Sequence, residues 1–160
     1  MTVDAPLFRQ VMSRFASGVT VVTTTVDGTL YGLTVSSFSS LSLEPRLALV
    51  SLDNRTLMHS LINQSSVFAL NLLAADQEAI SRHFAGPNKG DWSAIPHTLG
   101  QLGVPLLGGA LATMECRLFQ QLPGGDHTIF IGELEYAAAA EGAPLVYYRA
   151  AYHHLTSLEN

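Results

Sequence analysis

The residue pattern predicts a mainly β chain with peripheral helices, built as an antiparallel barrel. Three observations carry this. Runs dense in Val, Thr and other strand-favouring residues recur along the chain. Asp27-Gly28 joins two of them in the manner of a tight hairpin. Segments with helical spacing are few and short, too sparse for the strand–helix alternation of a doubly wound sheet.

Taken in order, Asp4 is placed to cap a first helix, with Pro6 tolerated in its first turn. Leu7, Phe8, Val11, Met12 and Phe15 follow at helical spacing, and Gly18 is expected to close it. Strands are expected over Val19 to Val26 and Leu30 to Val35, around the Asp27-Gly28 turn, and over Leu47 to Leu52. Arg55 to Ile62 reads as a helix with Leu57, Leu61 and Ile62 inward. Val67 to Leu72 is a strand, and Asp76 to Phe84 a helix capped by Asp76. Ala85 to Gly109 is rich in Gly and Pro and lacks periodicity, which predicts a long excursion of the kind that often carries function. Long strands follow over Leu111 to Leu122 and Thr128 to Ala138, joined through Pro123-Gly124-Gly125. Leu145 to Tyr148 and Tyr152 to Leu155 are expected to finish the sheet.

A length of 160 residues suits one domain with its own core. Hydrophobic residues make up 48% and charged residues only 13%, which leaves apolar surface for a homo-oligomer interface. A net charge of -5 with only eight Lys and Arg, scattered, argues against nucleic acid as a partner. Cys116 is the one cysteine, so neither an intrachain disulfide nor a cysteine zinc site is available; its alternating surroundings give it a core role. No apolar run reaches membrane-spanning length and Met1 to Arg14 lacks signal-peptide character, so a cytoplasmic location is expected.

Several catalytic signatures are missing. There is no Gly-x-Gly-x-x-Gly after a strand, no Walker A lysine and no Gly-x-Ser-x-Gly elbow. His153 and His154 are adjacent on an expected strand and point to opposite faces, so no metal site is expected from them.

Two stretches stand out instead. Between Thr34 and Ser42, six of nine residues carry hydroxyls, at the end of a strand. A hydroxyl-rich bend with free backbone N–H groups holds a phosphate or a nucleotide-type ligand without a cation. Downstream, Gly125-Asp126-His127 opens a strand that continues through Gly132-Glu133, placing a histidine where a second charged ligand would be handled.

Four landmarks in order resemble a known family. They are Phe15-Ala16-Ser17-Gly18-Val19-Thr20-Val21-Val22-Thr23; the stretch from Gly32 to Pro45; Gly125-Asp126-His127 with Gly132-Glu133; and Pro144-Leu145-Val146-Tyr147-Tyr148-Arg149 with Tyr152. From about Leu7 to Leu155 the chain resembles the short-chain flavin reductases that supply reduced flavin to a partner monooxygenase. It departs from the family pattern at Arg46, where a second proline is common, and at Ala150, where glycine is.

The resemblance implies an FMN-binding split barrel, usually a homodimer with flavin near the subunit interface. It places Thr34, Val35, Ser36 and Ser37 along the isoalloxazine ring, and Ser39, Ser40, Ser51, Asp53, Asn54, Arg55 and Thr56 along the ribityl chain and phosphate. Arg55, opening an expected helix, is the candidate phosphate cation. Arg82, His83 and Phe84 are expected to approach the distal part of the flavin, and Tyr148, Arg149 and Tyr152 to close over nucleotide or flavin. His127 is the candidate catalytic residue, aligning a nicotinamide nucleotide rather than acting as a base, because hydride transfer to flavin N5 needs none in its first step. The expected activity is an NAD(P)H:flavin oxidoreductase using FMN or FAD with NADH or NADPH, passing reduced flavin to a separate oxygenase. The alternatives are a non-catalytic flavin carrier or sensor and a flavin-dependent reductase of another acceptor.

Overall fold

The computed structural model describes residues 2–158. Asp4 caps α1 (Ala5–Met12), its carboxylate accepting the Leu7 N–H at 2.9 Å. The helix stops at Ser13 rather than running to Gly18. None of its residues is buried, so no tertiary packing prolongs it. Gly18 lies in a short strand, β1 (Ser17–Gly18).

The hairpin of β2 (Thr20–Val26) and β3 (Thr29–Val35) turns at Asp27 and Gly28, whose φ angles of 50° and 75° meet the demand for two left-handed residues. There follow β4 (Ser39–Ser42), β5 (Leu47–Asp53), α2 (Leu57–Ser65), β6 (Val67–Leu72) and α3 (Glu78–Ala85). Both of these helices start later than their sequence suggests. Thr56, not Arg55, is the N-cap of α2, because Asp53 draws Arg55 into a turn through its backbone and guanidinium. Gln77, not Asp76, is the N-cap of α3, its side chain being drawn instead to the Ala74 N–H and the Gly108 carbonyl.

The excursion after α3 is not wholly irregular: β7 (His97–Leu99) pairs with β8 (Pro105–Leu107). Then come β9 (Ala112–Gly124) and β10 (His127–Ala139), a long hairpin whose two-residue turn is Gly125-Asp126. Finally β11 (Leu145–Tyr148) and β12 (Ala151–His154) pair with β1 as a separate three-stranded sheet, rather than completing the main one. Arg149 and Ala150, at φ 51° and 61°, make the turn between them.

The main sheet is antiparallel, in the order β3-β2-β6-β9-β10-β5-β4. This order has a geometric consequence. The edge strands β3 and β4 are consecutive in sequence, linked only by Ser36, Ser37 and Phe38. Laid flat, seven strands would put those edges roughly 29 Å apart. The link from Val35 to Ser39 reaches at most about 14 Å. The sheet therefore curls until its edges nearly meet, giving a barrel split along one seam, and the hydroxyl-rich link bridges that seam.

Two apolar clusters fill the interior. One is built on Val22, Val50, Ile62, Phe68, Leu70 and Phe130, the other on Val19, Val21, Leu73, Phe84, Leu107 and Leu145. Cys116 is fully buried in the first, and that burial pushes its thiol pKa up to about 12. The excursion docks on the second through Trp92, whose ring centre lies 4.8 Å from that of Phe84. Buried Asn71 ties it down further. Its Nδ2 donates to the Val21 carbonyl and the Thr23 hydroxyl, and its Oδ1 accepts the Leu107 N–H at 2.9 Å. Glu115, also buried, accepts the Gln101 and Leu102 N–H groups at 3.0 and 2.7 Å.

Candidate functional site

At the seam the backbone of Ser36, Ser37 and Phe38 leaves every ladder, and none of their N–H groups donates to another backbone group among the described residues. Such groups require water or a ligand. The segment is nevertheless held in place. The Ser37 hydroxyl donates to the Ser51 carbonyl at 2.7 Å and accepts the Ser51 N–H at 3.2 Å, strapping the link to β5. Thr34 Oγ1 donates to the Ser81 carbonyl at 2.7 Å, strapping β3 to α3. These two hydroxyls fix the wall, leaving Ser36, exposed and without a side-chain hydrogen bond among the described residues, as the free hydroxyl on it.

A groove of about 320 Å³ opens along this wall, lined by Thr34, Val35, Ser36 and Ser37 on one side and by Ser51, Asp53, Thr56 and His127 on the other. The structure thus gathers eight of the sequence-predicted residues in one place. The long β9–β10 hairpin is what delivers His127: its Cα partner on β5 is Asp53. The loop ends are riveted together. Asn54 N–H donates to the Asp126 carbonyl at 3.0 Å, Thr128 Oγ1 donates to Asn54 Oδ1 at 2.7 Å, and the His59 ring bonds Thr128 Oγ1 at 3.0 Å. His127 keeps 44% of its side chain exposed, and its Nδ1 lies 2.7 Å from an Asp126 carboxylate oxygen.

Other predicted residues fall elsewhere. Arg55 does not open a helix, and its guanidinium is held by Asp53 at 3.0 and 2.6 Å, with 86% of the side chain in solvent. That pair holds the Asp53 carboxyl well below the usual carboxylate range. Asn54 secures the loop rather than lining the groove. Ser39 and Ser40 lie exposed on the edge strand β4, outside the groove lining. Phe84 is fully buried beneath Gly32, where even a Cβ would come within 2.5 Å of its ring, so it supports β3 from inside.

His83 packs edge-on against Phe84 with its ring centre 4.9 Å away, and its Nε2 is buried without a partner among the described residues. Arg82 pairs with Glu78 at 2.7 Å and lies over the Tyr152 ring at 4.9 Å. Tyr152 in turn bonds the Ser81 hydroxyl at 2.7 Å and lines a second cavity with Tyr147, Thr34 and Ser36. Tyr148 and Arg149 line a third, facing Met12, Phe15 and Ser36. Ser36 borders all three cavities. The sequence reading missed Ser81, Tyr147 and Met12 as neighbours of the site. Only the tertiary fold brings α1, α3 and β11 to the seam.

The donor set fits a flavin: unpaired backbone N–H groups, the Ser36 and Ser51 hydroxyls, which make no side-chain hydrogen bond among the described residues, and a groove open on the side of His127. Residues 12–156 match the family model described as the flavin reductase like domain. The chain is 38% identical over 157 residues to an NADH-dependent flavin reductase of Rhodococcus sp, covering 94% of this chain and 86% of that protein. It is 39% identical over 149 residues to the 4-hydroxyphenylacetate 3-monooxygenase reductase component of Thermus thermophilus, covering 92% and 95%. Among solved structures, a Streptomyces globisporus NADH:FAD oxidoreductase in complex with NAD and FAD fragments superposes with a TM-score of 0.92 at 33% identity, covering 98% of this chain and 97% of that one. The open antiparallel barrel, the seam that bridges its edges and the match along nearly its whole length place this chain in the flavin reductase family.

Proposed function

We propose that this protein transfers hydride from NADH to FMN or FAD and passes the reduced flavin to a separate oxygenase. A flavin, when bound, supplies the two-electron acceptor; the chain supplies position. The observation that carries the reading is the groove itself, with unpaired backbone donors of Ser36 and Ser37 on one wall and half-exposed His127 on the other. Backbone N–H groups there are placed to hydrogen-bond the edge of a flat heterocycle. His127 is placed to contact a second ligand stacked on that ring's open face, and near-contact alignment of the two is the rate contribution asked of the protein. No acid or base in the groove is needed for the transfer.

A homodimer is part of this reading. Phe8, Val11, Met12 and Phe15 expose 55%, 51%, 52% and 80% of their surface, an apolar face beside the cavity lined by Tyr148 and Arg149. A second copy covering it would enclose that end of the site.

The test is NADH oxidation followed at about 340 nm, the nicotinamide band, with FMN and then FAD in excess. Saturable, flavin-dependent loss of absorbance is expected. Flavin binding without NADH loss would make the protein a carrier.

A further inference from the structure

We propose that His59 of α2 is a positioning residue for His127: acting through Thr128, from the opposite face of β10, it fixes the strand end that presents His127 to the groove. The proposal rests on the reading of His127 as the contact for the nicotinamide nucleotide. Neighbouring residues on a strand point to opposite faces. His127 shares a face with Ile129 and with their β5 partners Asp53 and Ser51, and His127, Asp53 and Ser51 line the groove. Thr128 and Phe130 point the other way, as do their partners Leu52 and Val50, which are 1% and 0% exposed. That is the interior face, where α2 buries Met58 and Ile62 in one cluster with Val50, Leu52 and Phe130.

His59 meets both residues of this inner row. Its Nε2 lies 3.0 Å from Thr128 Oγ1, and its ring stands edge-on to that of Phe130 with centres 5.2 Å apart. The direction of the bond follows from the inventory of protons. The Thr128 hydroxyl has one, and gives it to Asn54 Oδ1 at 2.7 Å. Asn54 Nδ2 donates in turn to the Gly125 carbonyl at 3.4 Å, which fixes Oδ1 as the acceptor. The hydroxyl therefore accepts from His59, whose Nε2 carries the hydrogen.

A chain of donors thus runs from His59 through Thr128 and Asn54 to the carbonyls of Gly125 and Asp126, the two residues that turn the hairpin just before His127. The strand end has little else to hold it. On the neighbouring strand β9 every residue from Phe119 to Gly124 is exposed, so the ladder there lies open to water. The interior contacts carry the restraint, and His59 is where they join the core.

The test compares His59→Leu, which keeps apolar bulk against Phe130, with His59→Gln, whose amide nitrogen restores a donor. Each is made in the wild-type protein and with His127→Ala. The readouts are kcat/KM for NADH, the FMN dissociation constant, and the His127 imidazole nitrogen signals by NMR without nucleotide. In His59→Leu, kcat/KM is expected to fall about fivefold, the scale of one hydrogen bond, with FMN binding within about twofold of wild type. The His127 signals shift, and His59→Gln restores both. With His127→Ala, His59→Leu causes no further loss, because the two act as one unit. Thr128→Val, which removes the hydroxyl without touching α2, gives the same pattern and serves if His59→Leu does not fold. Equal losses with and without His127, unshifted His127 signals, FMN binding weakened in step with NADH kinetics, or a folded His59→Gln that restores nothing each overturns the proposal. If His127→Ala leaves NADH kinetics intact while His59→Leu still shifts the His127 signals, the positioning stands and the nicotinamide assignment of His127 falls.

Discussion

At the scale of single residues, the groove divides its polar side chains between holding and contacting. Ser37 and Thr34 hold, because their hydroxyls already bond the Ser51 and Ser81 carbonyls. His127 is the residue proposed to contact the nicotinamide nucleotide, since its ring reaches the groove while Asp126 bonds its Nδ1. His127→Ala is expected to lower kcat/KM for NADH by about tenfold or more through lost alignment. The flavin dissociation constant should stay within a factor of about two, since the flavin wall is backbone; weaker flavin binding with unchanged NADH kinetics would refute the assignment. The Asp53–Arg55 pair makes a second prediction. Arg55→Ala should raise the Asp53 carboxyl pKa toward its ordinary value, read by NMR titration of the carboxyl carbon. The sign follows from linkage. Asp53 is depressed in the folded state, so its contribution to stability is complete above about pH 4 and is lost as pH falls through the folded value. The variant should therefore lose the most stability relative to wild type at neutral pH, and the difference should shrink in acid.

At the scale of elements, hairpins place the chemistry. The two-residue Gly125-Asp126 turn ends the β9–β10 hairpin where β5 ends, and so sets His127 against Asp53. The hairpin was readable in the sequence, because turn residues between strand-like runs report one, but its turn, expected at Pro123-Gly124-Gly125, lies later, at Gly125-Asp126, with Pro123 and Gly124 still paired in β9. The excursion was not readable. It is held by long-range polar contacts: Asn71 to β8, Glu115 to the Gln101-Leu102 backbone, and Trp92 on Phe84. None leaves a local pattern. Asn71→Ala would leave the buried Leu107 N–H without its partner, at a cost of about 2 kcal/mol. Chemical denaturation should show this as a lower midpoint. A loss below about 0.5 kcal/mol would mean that the excursion is not docked as described.

At the scale of the molecule, the strand order dictates where the site is. Edge strands that are neighbours in sequence force the sheet to curl, and Ser36 and Ser37 of their three-residue link become part of one wall of the groove. The same fold leaves α1 lying outside the core with its apolar face uncovered. Sedimentation equilibrium is expected to give twice the chain mass of 17.2 kDa, and Val11→Lys with Phe8→Ser to shift it toward that of the single chain. A monomeric wild type would remove the second copy from the site. Among the described residues no helix is long and apolar enough to cross a membrane.

By itself the sequence determined the antiparallel β class, the strands other than β1, β4, β7 and β8, the Asp27-Gly28 turn, and the two stretches that form opposite walls of the groove. Those features are written locally, in side-chain alternation and turn chemistry. Tertiary structure alone decided which hydroxyls are free and which are tied, that Phe84 packs beneath Gly32, and that the last hairpin forms its own sheet with β1. Each depends on which residues distant in sequence meet across the seam, and that follows from strand order and packing rather than from any local spacing.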